Sequence, residues 1–165
     1  MPSRQPVGYK INLKIDTNFR GRVDARALRA AARQALLHQA APVPGELTLL
    51  VTGDSALQAL NRDYLGHDRP TDVLSFPADE TDPETGRRYF GDIAISFPRA
   101  HAQAAQAGHP VAAELQLLVV HGVLHLLGFD HARPPEKARM WAAQAAILAQ
   151  LKAPITGPAD DYACD

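Results

Sequence analysis

The chain has 165 residues, of which 17 are Lys or Arg, 18 are Asp or Glu, seven are His and one is Cys. This length suits one domain, and a single cysteine excludes a disulfide framework and a cysteine-based zinc finger. No run approaches the roughly 18 apolar residues of a membrane span. Residues 1–6 lack the apolar run of a secretory signal, so the expected location is the cytoplasm.

The first half of the chain predicts two strands and two helices. Asp24 is suited to cap the first helix, because its carboxylate can accept a hydrogen bond from a free backbone N–H group. Gly66 is suited to end the second helix, because glycine adopts the left-handed conformation without strain. The predicted elements are a strand over residues 9–16, a helix over about 25–38, a strand over 46–52 and a helix from Asp54 or Ser55 to Gly66.

The second half predicts a strand hairpin followed by three helices. The strands cover 71–77 and 89–96, with Pro77 as the end of the first and a charged connection over 78–88. The helices cover about 98–107, 111–127 and 135–151, and the middle one is apolar enough to be buried on most sides. This order predicts an α+β fold with one domain over residues 1–152 and a loose tail over 153–165.

The net charge is close to zero, but the charged residues are unevenly distributed along the chain. Residues 1–50 carry eight Lys or Arg against three Asp or Glu, whereas residues 51–100 carry five against nine. A net charge of −1 by itself argues against a nucleic-acid partner, but the basic first block leaves such a partner open. Five arginines precede the first helix or lie on its polar side: Arg20, Arg22, Arg26, Arg29 and Arg33. We interpret this basic face as an ordinary solvated surface, with a binding face as the alternative.

The strongest chemical signal lies in the segment HGVLHLLGFDH, residues 121–131. His121 and His125 are four residues apart on a predicted helix, so both side chains can reach one ion. Gly128 allows the chain to turn back after the helix, which brings His131 toward the same ion. Three neutral imidazoles suit Zn²⁺ and leave a fourth position open, as in catalytic sites; Ni²⁺ or another divalent ion could also bind.

Asp130 adjoins the third predicted ligand. Its carboxylate either orients a ligand histidine or caps the turn, and the residues alone do not separate these roles. The four other histidines are predicted to lie on the surface: His38, His67, His101 and His109.

The histidine spacing matches the metzincin protease pattern H-E-x-x-H-x-x-G-x-x-H at every position but one. Gly122 stands where those proteases need a glutamate as the general base. A zinc peptidase therefore remains only as an alternative hypothesis.

Three blocks of the sequence together resemble the bacterial YbeY family of rRNA maturation factors, described as single-strand-specific, metal-dependent endoribonucleases. The blocks are residues 61–77, 91–96 and 121–131. The resemblance implies an α+β fold with a mixed four-stranded sheet, about five helices and a metal site at the end of a buried helix. It also implies zinc held by His121, His125 and His131.

The same resemblance implies cleavage of single-stranded ribosomal RNA, with the 3′ end of 16S rRNA as the target, and a role in ribosome quality control. The ribosome or its proteins are the expected partners. The family commonly has a functional arginine where this chain has Leu65. Arg62 and Arg69 lie nearby and are the candidates for binding substrate phosphate. A non-catalytic, metal-stabilised ribosome-assembly factor is the second alternative.

Overall fold

The computed structural model describes residues 8–153 and 155. One mixed sheet of four strands carries the fold, in the order β1-β2-β4-β3. β1, β2 and β4 run parallel, and β3 is antiparallel to β4 at one edge. The strands are β1 (Tyr9–Ile15), β2 (Gly45–Thr52), β3 (Val73–Thr81) and β4 (Arg88–Ser96).

Five α-helices surround this sheet, which confirms the predicted fold class. They are α1 (Ala25–His38), α2 (Asp54–Leu60), α3 (Phe97–Ala107), α4 (Val111–Leu126) and α5 (Pro134–Leu151). A short 3₁₀ turn (Arg20–Arg22) precedes α1, and a π-helical segment (Asn61–Leu65) extends α2. No single helix in the described ranges is long and apolar enough to cross a membrane; α3 and α4 pass that test only together, across a bend of 115°.

The predicted helix ends are confirmed where a cap defines them. The Asp24 carboxylate accepts a hydrogen bond from the N–H group of Ala27 at 3.1 Å, at the start of α1. Gly66 ends the π-helical segment with a φ of +76°. Both ends were set by chemistry within a few residues, which is why the sequence pattern located them.

The prediction that Pro77 ends its strand is wrong, because β3 continues to Thr81. β3 is an edge strand, where a residue without an N–H group is tolerated. Pro77 pairs with Gly91 next to a shift in register. Gly91 has a φ of +134°, and a Cβ atom there would lie 2.2 Å from the carbonyl oxygen of Phe76, so only glycine fits at this point of closest approach.

The two faces of the sheet are covered unequally. Alternate residues of the strands, such as Leu49 and Ile93, join the large core formed with α1, α4 and α5. The residues between them, such as Leu74 and Ala94, form a smaller cluster with Leu57 of α2. The helix α4 lies in the large core and has 12 buried residues out of 16. Burial on this scale fixes the position of its polar side chains.

Candidate metal centre

Two histidines project from the C-terminal half of α4. His121 is only 1% exposed, and His125 is half-buried. Their Nε2 atoms lie 3.1 Å apart, as expected for side chains one helical turn from each other. For comparison, two nitrogens bound to one tetrahedral zinc ion at about 2.05 Å lie roughly 3.3 Å apart.

The third histidine is brought to the pair by the turn that follows α4. Gly128 has a φ of +98°, and the N–H group of Phe129 returns to the carbonyl oxygen of Leu124 at 3.0 Å. This turn places His131 so that one ring nitrogen from each of the three histidines lies within 4.8 Å of the others. The predicted convergence of His121, His125 and His131 is therefore confirmed.

The other ring nitrogen of each helical histidine is occupied by a carbonyl oxygen. Nδ1 of His121 lies 3.0 Å from Oε1 of Gln144, and Nδ1 of His125 lies 2.9 Å from the backbone oxygen of Phe129. A carbonyl oxygen only accepts hydrogen bonds, so each Nδ1 carries a proton. Both Nε2 atoms are consequently lone-pair donors in neutral rings.

The Nε2 lone pairs of His121 and His125 face each other, with 3.1 Å between the two nitrogen atoms. Neither nitrogen has a proton to donate, so this arrangement suits a bound cation rather than a hydrogen bond. The pKa of His121 is lowered to about 3, mainly by burial and to a smaller extent by the neighbouring His125. Burial also lowers the pKa of His125. Both rings are therefore neutral at pH 7, which is the form that binds metal. Nε2 of His131 is buried and has no hydrogen-bond partner within residues 8–153 and 155. The donor set fits a divalent transition metal.

The helix α5 provides the wall of this site. Trp141 lies with its ring centre 5.7 Å from those of His121 and His131, and Gln144 is fully buried beside them. Sequence reasoning missed both residues. The available signal was that Gln144 shares the buried stripe of α5 with Met140, Ile147 and Leu148, where a polar side chain needs a partner.

Asp130 makes its hydrogen bonds within the turn. One carboxylate oxygen accepts from the N–H groups of His131 at 2.7 Å and Ala132 at 3.3 Å. These contacts hold the backbone that carries the third ligand. A direct role toward a ligand ring stays a prediction.

Gly122 faces the sheet. A Cβ atom at this position would lie 2.8 Å from Cγ2 of Ile93, closer than side chains pack. The glycine therefore allows α4 to approach β4. A glutamate here would clash with the core, so the chain has no room for the protease base at this position.

Of the two candidate phosphate-binding arginines, Arg62 lies within the π-helical segment and Arg69 follows it, and both are exposed. Nε of Arg62 lies 3.0 Å from the carboxylate of Asp63, which raises the pKa of Arg62. The backbone oxygen of Arg69 accepts a hydrogen bond from the side chain of Asn61. Leu65 is 44% exposed in the same segment. Their roles in substrate binding stay predictions.

The prediction that the four remaining histidines lie on the surface holds for three of them. His38, His67 and His101 are exposed. His109 is buried, because its ring packs against the carboxylate of Glu114 at the start of α4. Glu114 lies five residues along the chain, in the first turn of α4, and the sequence pattern around His109 does not indicate this pairing.

Comparison with known proteins identifies the family of this chain. A family model described as Endoribonuclease YbeY matches residues 12–152. Proteins named Endoribonuclease YbeY from Roseiflexus castenholzii and Chloroflexus aggregans are 44% and 41% identical to it, over 86% and 88% of this chain and 92% and 98% of their own lengths. The solution structure of TM1509 from Thermotoga maritima shares the fold, with a TM-score of 0.57 and 20% identity over 93% of this chain and 97% of that one. The chain belongs to the YbeY family, whose curated members are named endoribonucleases.

Proposed function

We propose that this protein is a zinc-dependent endoribonuclease that cleaves single-stranded RNA during the maturation of ribosomal RNA. The proposed target is the 3′ end of 16S rRNA, and the proposed setting is ribosome quality control in the cytoplasm, with the ribosome or its proteins as partners. The observation that carries this proposal is the set of three converging histidines in a chain of the YbeY family.

Zinc is the proposed ion because three imidazoles and an open fourth position are typical of catalytic zinc sites. His121, His125 and His131 would hold it. A bound zinc ion would supply Lewis acidity toward a phosphoryl oxygen and a lowered pKa for a coordinated water. Gln144 and the backbone oxygen of Phe129 hold two of the rings in the tautomer that this requires.

Positive side chains are available to bind the phosphates of the RNA. Arg62 and Arg69 are candidates close to the π-helical segment. A groove of about 640 Å³ along the edge of β1 collects four more cations against two carboxylates. The cations are Lys10, Arg29, Arg33 and Arg87, and the carboxylates are those of Glu46 and Asp82. This groove supports the interpretation of the basic helix face as a binding face.

The decisive experiment combines metal analysis with an RNA cleavage assay on the wild type, His125→Ala and His67→Ala. We expect about one zinc per wild-type chain and cleavage of single-stranded RNA. His125→Ala should lose both metal and turnover. His67→Ala, which changes an exposed histidine outside the cluster, should retain both.

The same samples separate the alternatives. Continued RNA binding by a folded but inactive His125→Ala protein supports an enzyme. Joint loss of folding and RNA binding would instead indicate a metal-stabilised assembly factor. Cleavage of peptides but not of RNA would indicate a peptidase, which the packing of Gly122 against Ile93 disfavours. Product ends identify the nucleophile, since a 2′,3′-cyclic phosphate would exclude attack by water.

A further inference from the structure

The face of the sheet opposite α4 contains a second cavity, of about 360 Å³. Such a volume is within the range of small-ligand sites, roughly 300–1,000 Å³. Its lining combines apolar and polar side chains from all four strands, from the end of α2 and from the π-helical segment: Lys14, Thr48, Leu50, Leu60, Tyr64, Phe76 and Asp92. None of the histidines of the metal centre lines it.

One side of the cavity is aromatic. Tyr64 is 70% exposed, and its ring packs edge-on against Phe76 with 5.5 Å between the ring centres. Leu50 and Leu60 continue the apolar side and pack against the small core cluster. A flat ring placed on Tyr64 would cover apolar surface that is now in contact with water, which is how proteins bind unpaired bases.

The other side is polar and held in place by hydrogen bonds across the sheet. The hydroxyl of Tyr89 donates to the carboxylate of Asp92, and the hydroxyl of Thr48 lies 2.7 Å from that of Tyr89. Burial raises the pKa of Tyr89 to about 12, so Tyr89 remains a donor at neutral pH. Asp92 is therefore a hydrogen-bond acceptor with a fixed direction, and it lies beside Phe76 of the aromatic side, its partner in the register of β3 and β4.

We propose that this cavity binds a guanine base of single-stranded RNA, with Asp92 accepting from guanine N1–H and the 2-amino group and Tyr64 stacking on the ring. This inference rests on the proposed function for the identity of the substrate. Lys14 provides the positive charge for the adjoining phosphate. The cavity thus selects sequence, and the metal centre supplies the chemistry.

The choice of guanine follows from the donors on each base. A carboxylate only accepts hydrogen bonds, and its two oxygens match two adjacent donors. Guanine presents N1–H beside its amino group. Adenine and cytosine present a ring nitrogen acceptor beside theirs, and uracil flanks its single N–H with two carbonyl oxygens. Asp92 would repel each of those acceptors.

The test is an NMR titration of the zinc-loaded, full-length protein with the 5′-monophosphates of guanosine, inosine and adenosine. These nucleotides contain no internucleotide bond that the protein could cleave. We expect the amides of Thr48 and Asp92 to shift, with GMP binding about tenfold more tightly than AMP, as loss of a hydrogen bond to a charged group predicts. Inosine monophosphate, which lacks the 2-amino group, should fall between them.

Three variants assign the contacts. Asp92→Asn should remove the preference for GMP, whereas Asp79→Asn, the same change on an exposed part of β3 outside the cavity, should retain it. Tyr64→Ala should weaken the binding of all three nucleotides by about the same factor, roughly tenfold. Dispersed spectra outside the cavity show that each variant is folded.

The proposal is overturned if GMP and AMP bind equally, if the shifts occur only near the metal centre, or if Asp92→Asn keeps the preference. These outcomes are separate from a failure of the proposed function. RNA cleavage without guanine binding would leave the function standing and remove this site. Guanine binding without RNA cleavage would support the site and reject the function.

Discussion

At the scale of single residues, the proton positions on two imidazoles decide what the centre can bind. The partners at Nδ1 of His121 and His125 are both carbonyl oxygens, so both Nε2 lone pairs are directed into the cluster. One of these partners is a backbone oxygen in the turn after α4. The other is the side chain of Gln144, which a substitution can remove.

Replacing Gln144 by leucine should weaken zinc binding by about 10- to 100-fold, because His121 would no longer be held in the binding tautomer. Competition with a fluorescent zinc chelator measures the affinity. Gln116→Leu is the matched control, since Gln116 lies on α4 but donates to the backbone of Ala27 instead. Equal zinc affinities for the two variants would show that Gln144 does not position the ligand.

The three histidines could be predicted from the sequence because a helix and a glycine turn bring them together locally. Gln144 and Trp141 could not, because they reach the site only through the packing of α5 on α4. Periodicity marks the buried side of a helix but does not say which other helix that side meets. His109 escaped prediction although its partner Glu114 is only five residues away, because spacing alone does not show which side chains pair at the start of a helix.

At the scale of elements, the approach of α4 to β4 depends on Gly122. Gly122→Ala should destabilise the protein by about 1–3 kcal/mol, because the added Cβ would overlap Ile93. Alanine's better helix propensity, worth about 1 kcal/mol, offsets part of this cost. Urea unfolding of both single variants and the Gly122→Ala/Ile93→Ala double variant measures the coupling. We expect the double variant to lose less free energy of unfolding than the sum of the losses of the two single variants. A loss equal to that sum would rule out this contact.

The polar side of α1 provides a second prediction at this scale. Arg29→Gln/Arg33→Gln should bind single-stranded RNA more weakly, and the slope of log K against log salt should fall by about 1.4, at roughly 0.7 for each phosphate contact. Arg26→Gln removes the same charge from the same helix outside the groove and should change binding less. If Arg26→Gln weakens RNA binding as much, for each charge removed, as Arg29→Gln/Arg33→Gln does, the groove is not a preferred binding path for RNA.

Helix boundaries could be predicted because caps act over a few residues, as Asp24 and Gly66 do. The end of β3 could not, because the effect of Pro77 depends on where its strand lies in the sheet. The order of the strands was also inaccessible to periodicity, since β4 pairs with β2 across an intervening helix and strand. The resemblance implied a mixed sheet, and the structure adds its order and register.

At the scale of the whole molecule, a bound ion would join the end of α4 to the turn that leads into α5. Ligand binding to the folded state stabilises it by about 2.7 kcal/mol when the free metal is 100-fold above its dissociation constant. For a chain of this size, that corresponds to a rise in Tm of about 5–10 °C.

Calorimetry with and without a chelator measures this stabilisation. The wild type should melt at a lower temperature when metal is removed. The melting temperature of His125→Ala should not depend on the chelator. A wild-type protein that melts at the same temperature in both conditions would show that the cluster does not bind metal in the folded state.

The three histidines lie within eleven consecutive positions, from His121 to His131. The cavity on the far side of the sheet instead draws its side chains from six elements, namely the four strands, α2 and the π-helical segment. The ligands of the metal centre therefore come from one short segment, which the sheet and α5 hold in place. Residues on the face of the sheet opposite α4 can change without altering the histidine ligands. A fold arranged in this way can acquire new sequence preferences in small steps while its chemistry is inherited intact.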